Sequence, residues 1–353
     1  MSNSIEQLVG QIIIAGFRGK TANEKSAIKK YILEYHIAGV ILYDMDLEIG
    51  NGELTPGTRN IESPTQIRLL TNQLQKYSDQ SLLISIDQEG GDSSRLRSIY
   101  GFKENPSWSH IGLLNNTIMT KQFSESLAET LYDAGINLNF APVIDLDHGK
   151  GTVISDTKRA FASNPKTVLE HSEIFIKAHK EKGIISCPKH FPGLGSASGD
   201  THEGFTDISE NWSVKDLLPF DELIQSKKID TIMISHAFDK NLDPVYPASL
   251  SKKIVSTMLR DDLGFDGVII CDDPSMRAIS DNYSMEDTFE LMLNAGIDLF
   301  CLGNNLIYDN DYIPKAIKTI CNLIKLGKIK QERILESIER IETLKLKYNI
   351  NGS

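Results

Sequence analysis

Four side chains that can bind ligands or transfer protons fall close together in this sequence: Lys189, His190, Asp200 and His202. They follow an apolar run, residues 183–187, that predicts a buried strand. Enzymes with alternating strands and helices carry their reacting groups just past the ends of such strands. Loop residues of this type are also rarely needed for packing. Residues 189–202 therefore predict a site for acid–base chemistry.

Asp200 and His202 stand two positions apart, and in extended backbone such side chains project to the same side. The carboxylate can then bond one imidazole nitrogen and leave the other free to exchange a proton. An imidazole with a pKa near ~6.5 does this well at neutral pH. The alternative is an Asx turn that stabilises the loop beside a solvated histidine.

Asp272 follows residues 267–271, an apolar run that predicts another buried strand. A carboxylate held on so rigid an element suits nucleophilic attack or the stabilisation of a cation. Alternatively, Asp272 caps the next helix, although the neighbouring Asp273 can fill that role instead.

Two other kinds of site fit the sequence poorly. Residues 193–198 resemble a dinucleotide-binding loop, but the third glycine is missing and residues 200–204 do not open a helix. Asp200, His202 and His190 offer zinc ligands, yet no His-Glu-x-x-His motif or second close histidine pair supports a metal centre. We therefore expect neither a cofactor nor a metal ion.

The elements that position these residues alternate between short apolar runs and amphipathic segments. This alternation predicts an α/β fold with a parallel sheet, and eight strands in 353 residues favour a (β/α)₈ TIM-like barrel over residues 1–353. An open doubly wound sheet is the alternative. The predicted strands are residues 11–16, 38–43, 82–86, 136–143, 183–187, 231–235, 267–271 and 296–302.

The segments between the strands carry helix and loop signals. Ser63 and Pro64 begin one predicted helix as its cap and first residue, and another helix is predicted over residues 117–133. Residues 328–348 predict an amphipathic C-terminal helix, whereas residues 44–63 form a long polar loop.

Polar residues follow five of the predicted strands. The carboxyl ends of barrel strands meet at one rim, so we expect these residues to converge on one pocket, with rim salt bridges as the alternative for any single member. They are Asp87 and Glu89, Asp145, Lys189 and His190, His236, and Asp272 and Asp273.

The composition limits the classes of partner and the cellular compartment that we expect. A net charge of −11 argues against a nucleic-acid partner. The first residues predict no signal peptide, and no apolar run approaches the roughly 18 residues of a membrane helix. Four cysteines without a C-x-x-C motif indicate free thiols in a reducing compartment. We expect a cytoplasmic monomer with no membrane partner.

Taken in order, the motifs resemble glycoside hydrolase family 3, and specifically its β-N-acetylglucosaminidase branch. The resemblance covers nearly the whole chain. Its motifs are Asp87-Gln88-Glu89-Gly90-Gly91, residues 139–145, Lys189-His190-Phe191-Pro192-Gly193, Asp200-Thr201-His202, Ser235-His236 and residues 272–276.

The resemblance implies a single-domain barrel and a retaining, metal-free mechanism. Asp272 matches the aspartate nucleophile, and Asp200 with His202 matches the Asp-x-His pair in which the histidine is the general acid/base. The implied substrates are carbohydrates that end in N-acetylglucosamine, namely cell-wall peptidoglycan fragments and chitooligosaccharides. The matching sugar-binding positions are Asp87, Arg95, Arg159, Lys189 and His190.

The sequence departs from the branch in three places. Leu194 stands where histidine is frequent, Asp92 stands where arginine is common, and the loop after Tyr43 is longer than usual. The last two are expected to alter binding beyond the terminal sugar. The functional alternatives are an N-acetylglucosaminide phosphorylase, another β-glycosidase of the family, a metal-dependent barrel hydrolase and a non-catalytic sugar-binding protein.

Overall fold

The eight predicted strands are present in a computed structural model that describes residues 3–47 and 57–350. All neighbouring strands are parallel, in the order β5-β4-β3-β2-β1-β8-β7-β6. The observed strands are shorter than predicted: β1 Ile13–Gly16, β2 Gly39–Leu42, β3 Leu83–Ile86, β4 Leu138–Asn139, β5 Ile185–Ser186, β6 Thr231–Ile234, β7 Val268–Cys271 and β8 Leu299–Leu302.

The sheet closes into a barrel through the segment that follows β5. The amide of Phe191 donates to the Met233 carbonyl at 2.9 Å, and the amide of Met233 donates to the Pro188 carbonyl at 3.0 Å. The amide of Ser235 completes the join by donating to the Phe191 carbonyl at 2.9 Å. The barrel prediction is therefore confirmed, and the open doubly wound alternative is wrong.

The strands are apolar along their whole length because both of their faces are covered. Every residue of β7 is buried, as expected for a parallel sheet with side chains inside and helices outside. The helices are Ile5–Gly10, Ala27–Tyr35, Pro64–Lys76, Trp108–Leu114, Thr117–Ala134, Val153–Asp156, Pro165–Glu181, Leu218–Gln225, Arg277–Ser280, Met285–Ala295, Tyr312–Lys325 and Gln331–Lys347, with a π-helix at Lys253–Asp262 and 3₁₀ turns at Ser98–Tyr100, Val214–Leu217 and Ala248–Leu250.

The predicted helix starts agree with the structure. The Ser63 side chain accepts a bond from the Gln66 amide at 3.2 Å, and Pro64 is the first helical residue. The C-terminal helix, Gln331–Lys347, lies within the predicted 328–348. Of the predicted loop 44–63, residues 48–56 lie outside the described residues, so the role of that loop stays a prediction.

Asp298 fixes the end of the barrel opposite to the strand carboxyl ends. It is fully buried just before β8 and accepts bonds from Arg260, from Arg333 at 2.8 Å and from Arg340 at 3.1 Å. A buried carboxylate is costly unless it is paired. These arginines therefore join the C-terminal helix and the π-helix to the barrel.

All four cysteines are buried free thiols. Burial raises the pKa of Cys187 to about 12 and that of Cys321 to about 11, and it also raises the pKa values of Cys271 and Cys301. Because the thiolate is the reactive form, these thiols are chemically inert at neutral pH. Separately, the described helices include none with the length and apolar character needed to cross a bilayer.

Candidate active site

One cavity lies at the carboxyl ends of the strands. Asp145 and His236 were also expected in this pocket but do not line it, whereas the eight residues assigned to catalysis or sugar binding all do, although they come from separate parts of the chain. They are Asp87, Arg95, Arg159, Lys189, His190, Asp200, His202 and Asp272. Tyr43, Leu194 and Met276 line the same cavity.

Asp272 stands directly after β7, and its amide continues the sheet by donating to the Ile234 carbonyl at 3.1 Å. Burial favours the neutral acid, but His236, His190 and His202 nearby outweigh it and lower the pKa of Asp272. The side chain is therefore a carboxylate at neutral pH. Its Oδ1 accepts the Asp273 amide at 2.9 Å, which fixes its direction.

Asp273 has a different environment, because its carboxyl group is committed to the backbone. Oδ1 accepts the Ser275 amide and Oδ2 accepts the Gly303 amide, each at 2.9 Å. Burial raises the pKa of Asp273 to about 6. A Cβ on Gly303 would lie 2.4 Å from the Tyr43 hydroxyl, so only glycine permits this approach. Neither aspartate caps the next helix, whose cap residue is Met276.

Asp200 and His202 form both the carboxylate–imidazole pair and the Asx turn that the sequence left open as alternatives. The His202 ring Nδ1 lies 2.6 Å from Asp200 Oδ1, and the His202 amide donates to the same oxygen at 2.9 Å, as in an Asx turn. Partial burial opposes protonation of the ring, but the bond to Asp200 prevails and raises the pKa of His202. The same bond lowers the pKa of Asp200 to about 2.

Glu89 was not singled out from the sequence as a binding residue, yet it holds two of them in place. It is buried and accepts two bonds from Arg159, both 2.8 Å, and one from Lys189 at 2.7 Å. Burial alone would raise the pKa of Glu89, but these two cations lower it. Lys189 also donates to Asp87 at 2.8 Å. The feature of the sequence that could have identified Glu89 was its position close to Asp87, because the largely buried cations Lys189 and Arg159 require nearby carboxylates.

Asp145 holds His190 in place, as Glu89 holds Lys189 and Arg159. Its Oδ2 lies 2.7 Å from His190 Nδ1, and its Oδ1 accepts the Leu194 amide at 2.7 Å. Arg159 lies 3.2 Å from His190 Nε2 and can only donate, so that nitrogen accepts and Nδ1 carries the proton. Both ring nitrogens of His190 are therefore already bonded, Nδ1 to Asp145 and Nε2 to Arg159.

Arg95 and His236 differ in their access to the cavity. The Arg95 guanidinium lies 5.8 Å from the centre of the Tyr43 ring, and within the described part of the chain its Nε is buried without a partner. The Arg95 side chain itself lines the cavity, so its guanidinium is a candidate donor to a ligand. His236 is buried behind the wall, where Nε2 bonds the Asp273 carbonyl at 3.0 Å and Nδ1 bonds Ser249 at 2.8 Å. It supports the segment that carries Asp272.

The arrangement places a carboxylate and an imidazole with a raised pKa on one cavity whose wall supplies cationic hydrogen-bond donors. Hydrolysis of an acetal by double displacement requires a carboxylate and a proton donor that both reach the bond to be cleaved. Lysine and arginine donors are suited to holding hydroxyl groups. Residues 3–47 and 57–350 contain no group of three or more His, Cys, Asp or Glu side chains arranged to hold a metal ion.

The activity should decline at alkaline pH if His202 is the proton donor. Only the cation can donate, and Asp200 raises the pKa of His202 above its ordinary 6.5, so the donor persists past that pH and is lost as pH rises further. We expect kcat/KM for a disaccharide to show this alkaline limb. Its persistence in His202→Ala would contradict the assignment.

Comparisons with known proteins were made for both sequence and structure. The family model described as glycosyl hydrolase family 3 N terminal domain matches residues 4–344. Beta-hexosaminidase A of Pseudoalteromonas piscicida is 28% identical over 378 positions, which cover 97% of this chain and 61% of that protein. A beta-hexosaminidase of Nitrosomonas eutropha is 33% identical over 286 positions, covering 76% of this chain and 79% of that protein.

A solved structure, the glycoside hydrolase family 3 beta-N-acetylglucosaminidase from Paenibacillus sp. str. FPU-7, is similar over 99% of this chain with a TM-score of 0.88 and 27% identity. The match covers 63% of that protein. The chain thus spans about three fifths of the length of this protein and of the Pseudoalteromonas relative.

Proposed function

The chain belongs to glycosyl hydrolase family 3, and from this premise we propose that it is a retaining exo-β-N-acetylglucosaminidase. It hydrolyses the bond that links a terminal N-acetylglucosamine to the rest of its substrate. The observation that carries the proposal is the placement of Asp272 and the Asp200–His202 pair on one cavity. Relatives named beta-hexosaminidase and beta-N-acetylglucosaminidase support the choice of sugar.

The reaction has two displacements. The Asp272 carboxylate attacks the anomeric carbon and forms a covalent glycosyl ester, while the imidazolium of His202 gives its proton to the leaving oxygen. His202, now neutral, then takes a proton from water, whose oxygen attacks the same carbon and releases Asp272. Two inversions give net retention. Asp200 stabilises the imidazolium in each cycle.

The terminal sugar is held by the polar wall. Lys189, Arg159 and Arg95 donate to its hydroxyl groups, and Asp87 accepts from them. His190 adds contacts from a ring that Asp145 keeps in one orientation. The ion pairs of Lys189 with Asp87 and Glu89 hold its ammonium group at the wall of the cavity.

Peptidoglycan fragments and chitooligosaccharides are the proposed substrates, because both can present a terminal N-acetylglucosamine. We place the reaction in the cytoplasm, in the recycling of cell-wall material by a monomer. The support for a reducing compartment is that all four thiols are free and buried.

A phosphorylase that uses the same site is the second candidate. An imidazole acid/base repels a phosphate nucleophile less than a second carboxylate would, and the proposed acid/base here is His202. Product analysis in phosphate buffer separates the two activities. Free N-acetylglucosamine supports hydrolysis, whereas sugar 1-phosphate supports phosphorolysis.

β-N-acetylglucosaminides should be cleaved at least ~10-fold faster than β-glucosides, since a site built around the acetamido group loses a kcal/mol or more without it. The measurement is kcat/KM for a panel of chromogenic β-glycosides with products identified. Asp272→Ala, prepared in parallel, controls for contaminating hydrolases. Equal rates on both sugars would overturn the assignment to this branch and leave the family intact.

A further inference from the structure

We propose that Thr201 and Ala278 are positioning residues that hold the proton donor at the cavity it shares with the nucleophile. The Ala278 amide donates to the Thr201 carbonyl at 3.1 Å, and the Thr201 hydroxyl lies 3.8 Å from the Met276 sulfur. We call these two contacts the latch. The inference rests on the proposed function, because it concerns the placement of His202 as its acid/base.

Burial shows where the acid/base loop is anchored. Thr201 is only 5% exposed, whereas the His202 side chain next to it is 44% exposed and Glu203 is also exposed. A single buried residue thus stands between the two members of the pair. The loop meets the segment that follows Asp272 at that residue.

The latch fixes one peptide unit at both ends. The peptide that joins Thr201 to His202 has its carbonyl bound by the Ala278 amide and its N–H bound by the Asp200 carboxylate at 2.9 Å. Because a peptide unit is planar and rigid, holding both ends sets its orientation. The position of the His202 Cα then follows from the segment that carries Ala278.

The same segment is bonded to Asp273, the residue that follows the nucleophile. The Met276 amide donates to the Asp273 carbonyl at 3.0 Å, and that carbonyl also accepts from His236 Nε2 at 3.0 Å. The path from Asp272 to His202 therefore runs through two short hydrogen-bonded turns. Thr201 and Met276 both line the cavity, so the latch forms part of the wall that a bound sugar would face.

Ala278→Pro tests the latch by removing its amide donor. Ala278 is the second residue of Arg277–Ser280, where an amide has no partner within the helix, and Pro219 occupies the same position in Leu218–Gln225. We expect kcat/KM for the disaccharide to fall by about 10- to 100-fold, as for a displaced catalytic group. Formation of the intermediate from an activated aryl glycoside should change little.

Arg277→Pro is the matched control. It places proline at the first helical position, where proline is favoured, and leaves the Ala278 amide intact. The Arg277 side chain is exposed. This variant should retain the wild-type dependence of rate on leaving-group pKa, whereas Ala278→Pro should show a steeper one.

A second pair tests the side-chain half of the latch if Ala278→Pro does not fold. Thr201→Val should lower kcat/KM for the disaccharide by about 5-fold, which corresponds to the loss of one neutral hydrogen bond. Thr201→Ser should restore the wild-type kcat/KM. Thr206→Val is its control, because Thr206 is also buried and its hydroxyl bonds the Gly204 carbonyl within the same loop.

The outcomes separate the inference from the function on which it rests. Equal leaving-group dependence in Ala278→Pro and Arg277→Pro, or in Thr201→Val and Thr206→Val, would overturn the latch while wild-type hydrolysis stands. Wild-type protein that hydrolyses no β-N-acetylglucosaminide would instead refute the proposed function.

Discussion

Asp272→Ala is expected to lower kcat/KM by about 10³-fold or more while the protein remains folded, as for the loss of a covalent participant. Two carboxylates that line the same cavity, Asp273 and Glu89, are already engaged by other groups. Both oxygens of Asp273 accept backbone amides, and Glu89 is held by Arg159 and Lys189.

Labelling identifies the nucleophile directly. A slow fluorosugar substrate should form a stable ester on Asp272, which mass spectrometry of peptides locates in the wild-type protein. Asp272→Ala, shown by circular dichroism to be folded, should take up no label. Label found on Asp273 or Glu89 would refute the assignment.

His202→Ala should damage cleavage of a natural disaccharide far more than formation of the intermediate from an aryl glycoside. A nitrophenol leaves with little protonation, whereas a sugar hydroxyl needs a full proton from the acid. Asp200→Ala should give the same pattern more mildly, because the imidazole remains but loses its partner at 2.6 Å. The measurement is rate against leaving-group pKa.

Lys189→Ala is the control for that series. A residue that only binds the terminal sugar should slow both substrates alike, because its contact does not depend on the leaving group. A wild-type slope in His202→Ala would exclude His202 as the acid. His190 and Glu203 would then be the remaining candidates, of which His190 already bonds Asp145 and Arg159.

The strands were predictable because their burial on both faces leaves continuous apolar runs. The ends of the strands were not predictable, because a strand ends where the backbone no longer offers amide groups that can donate to the neighbouring strand. The predicted strand 136–143 is a regular strand only over Leu138–Asn139, with a separate bridge from Val143 to Lys189, and the predicted strand 183–187 is regular only over Ile185–Ser186. Pro142 and Pro188 follow closely, and proline has no amide to donate to a ladder. Pro188 still accepts from Met233 and so takes part in closing the barrel.

The reacting residues were predictable from their positions after strands, but their supports were not. Glu89 and Asp145 act through partners far along the chain, Arg159 and His190 respectively, and no local spacing encodes such pairs. The contact of Thr201 with Ala278 likewise joins a loop to the helix Arg277–Ser280, which lies far along the chain and which only the closed barrel brings near. The sequence identifies the groups, whereas packing determines which of them face the cavity.

The inert cysteines make this chain suited to site-specific labelling. All four native thiols are buried with raised pKa values, so a maleimide probe would find no accessible thiolate among them. Ser198→Cys would place one reactive thiol on an exposed position beside the Asp200–His202 pair. A spin label or fluorophore there would report the motion of the acid/base loop without prior removal of any native cysteine.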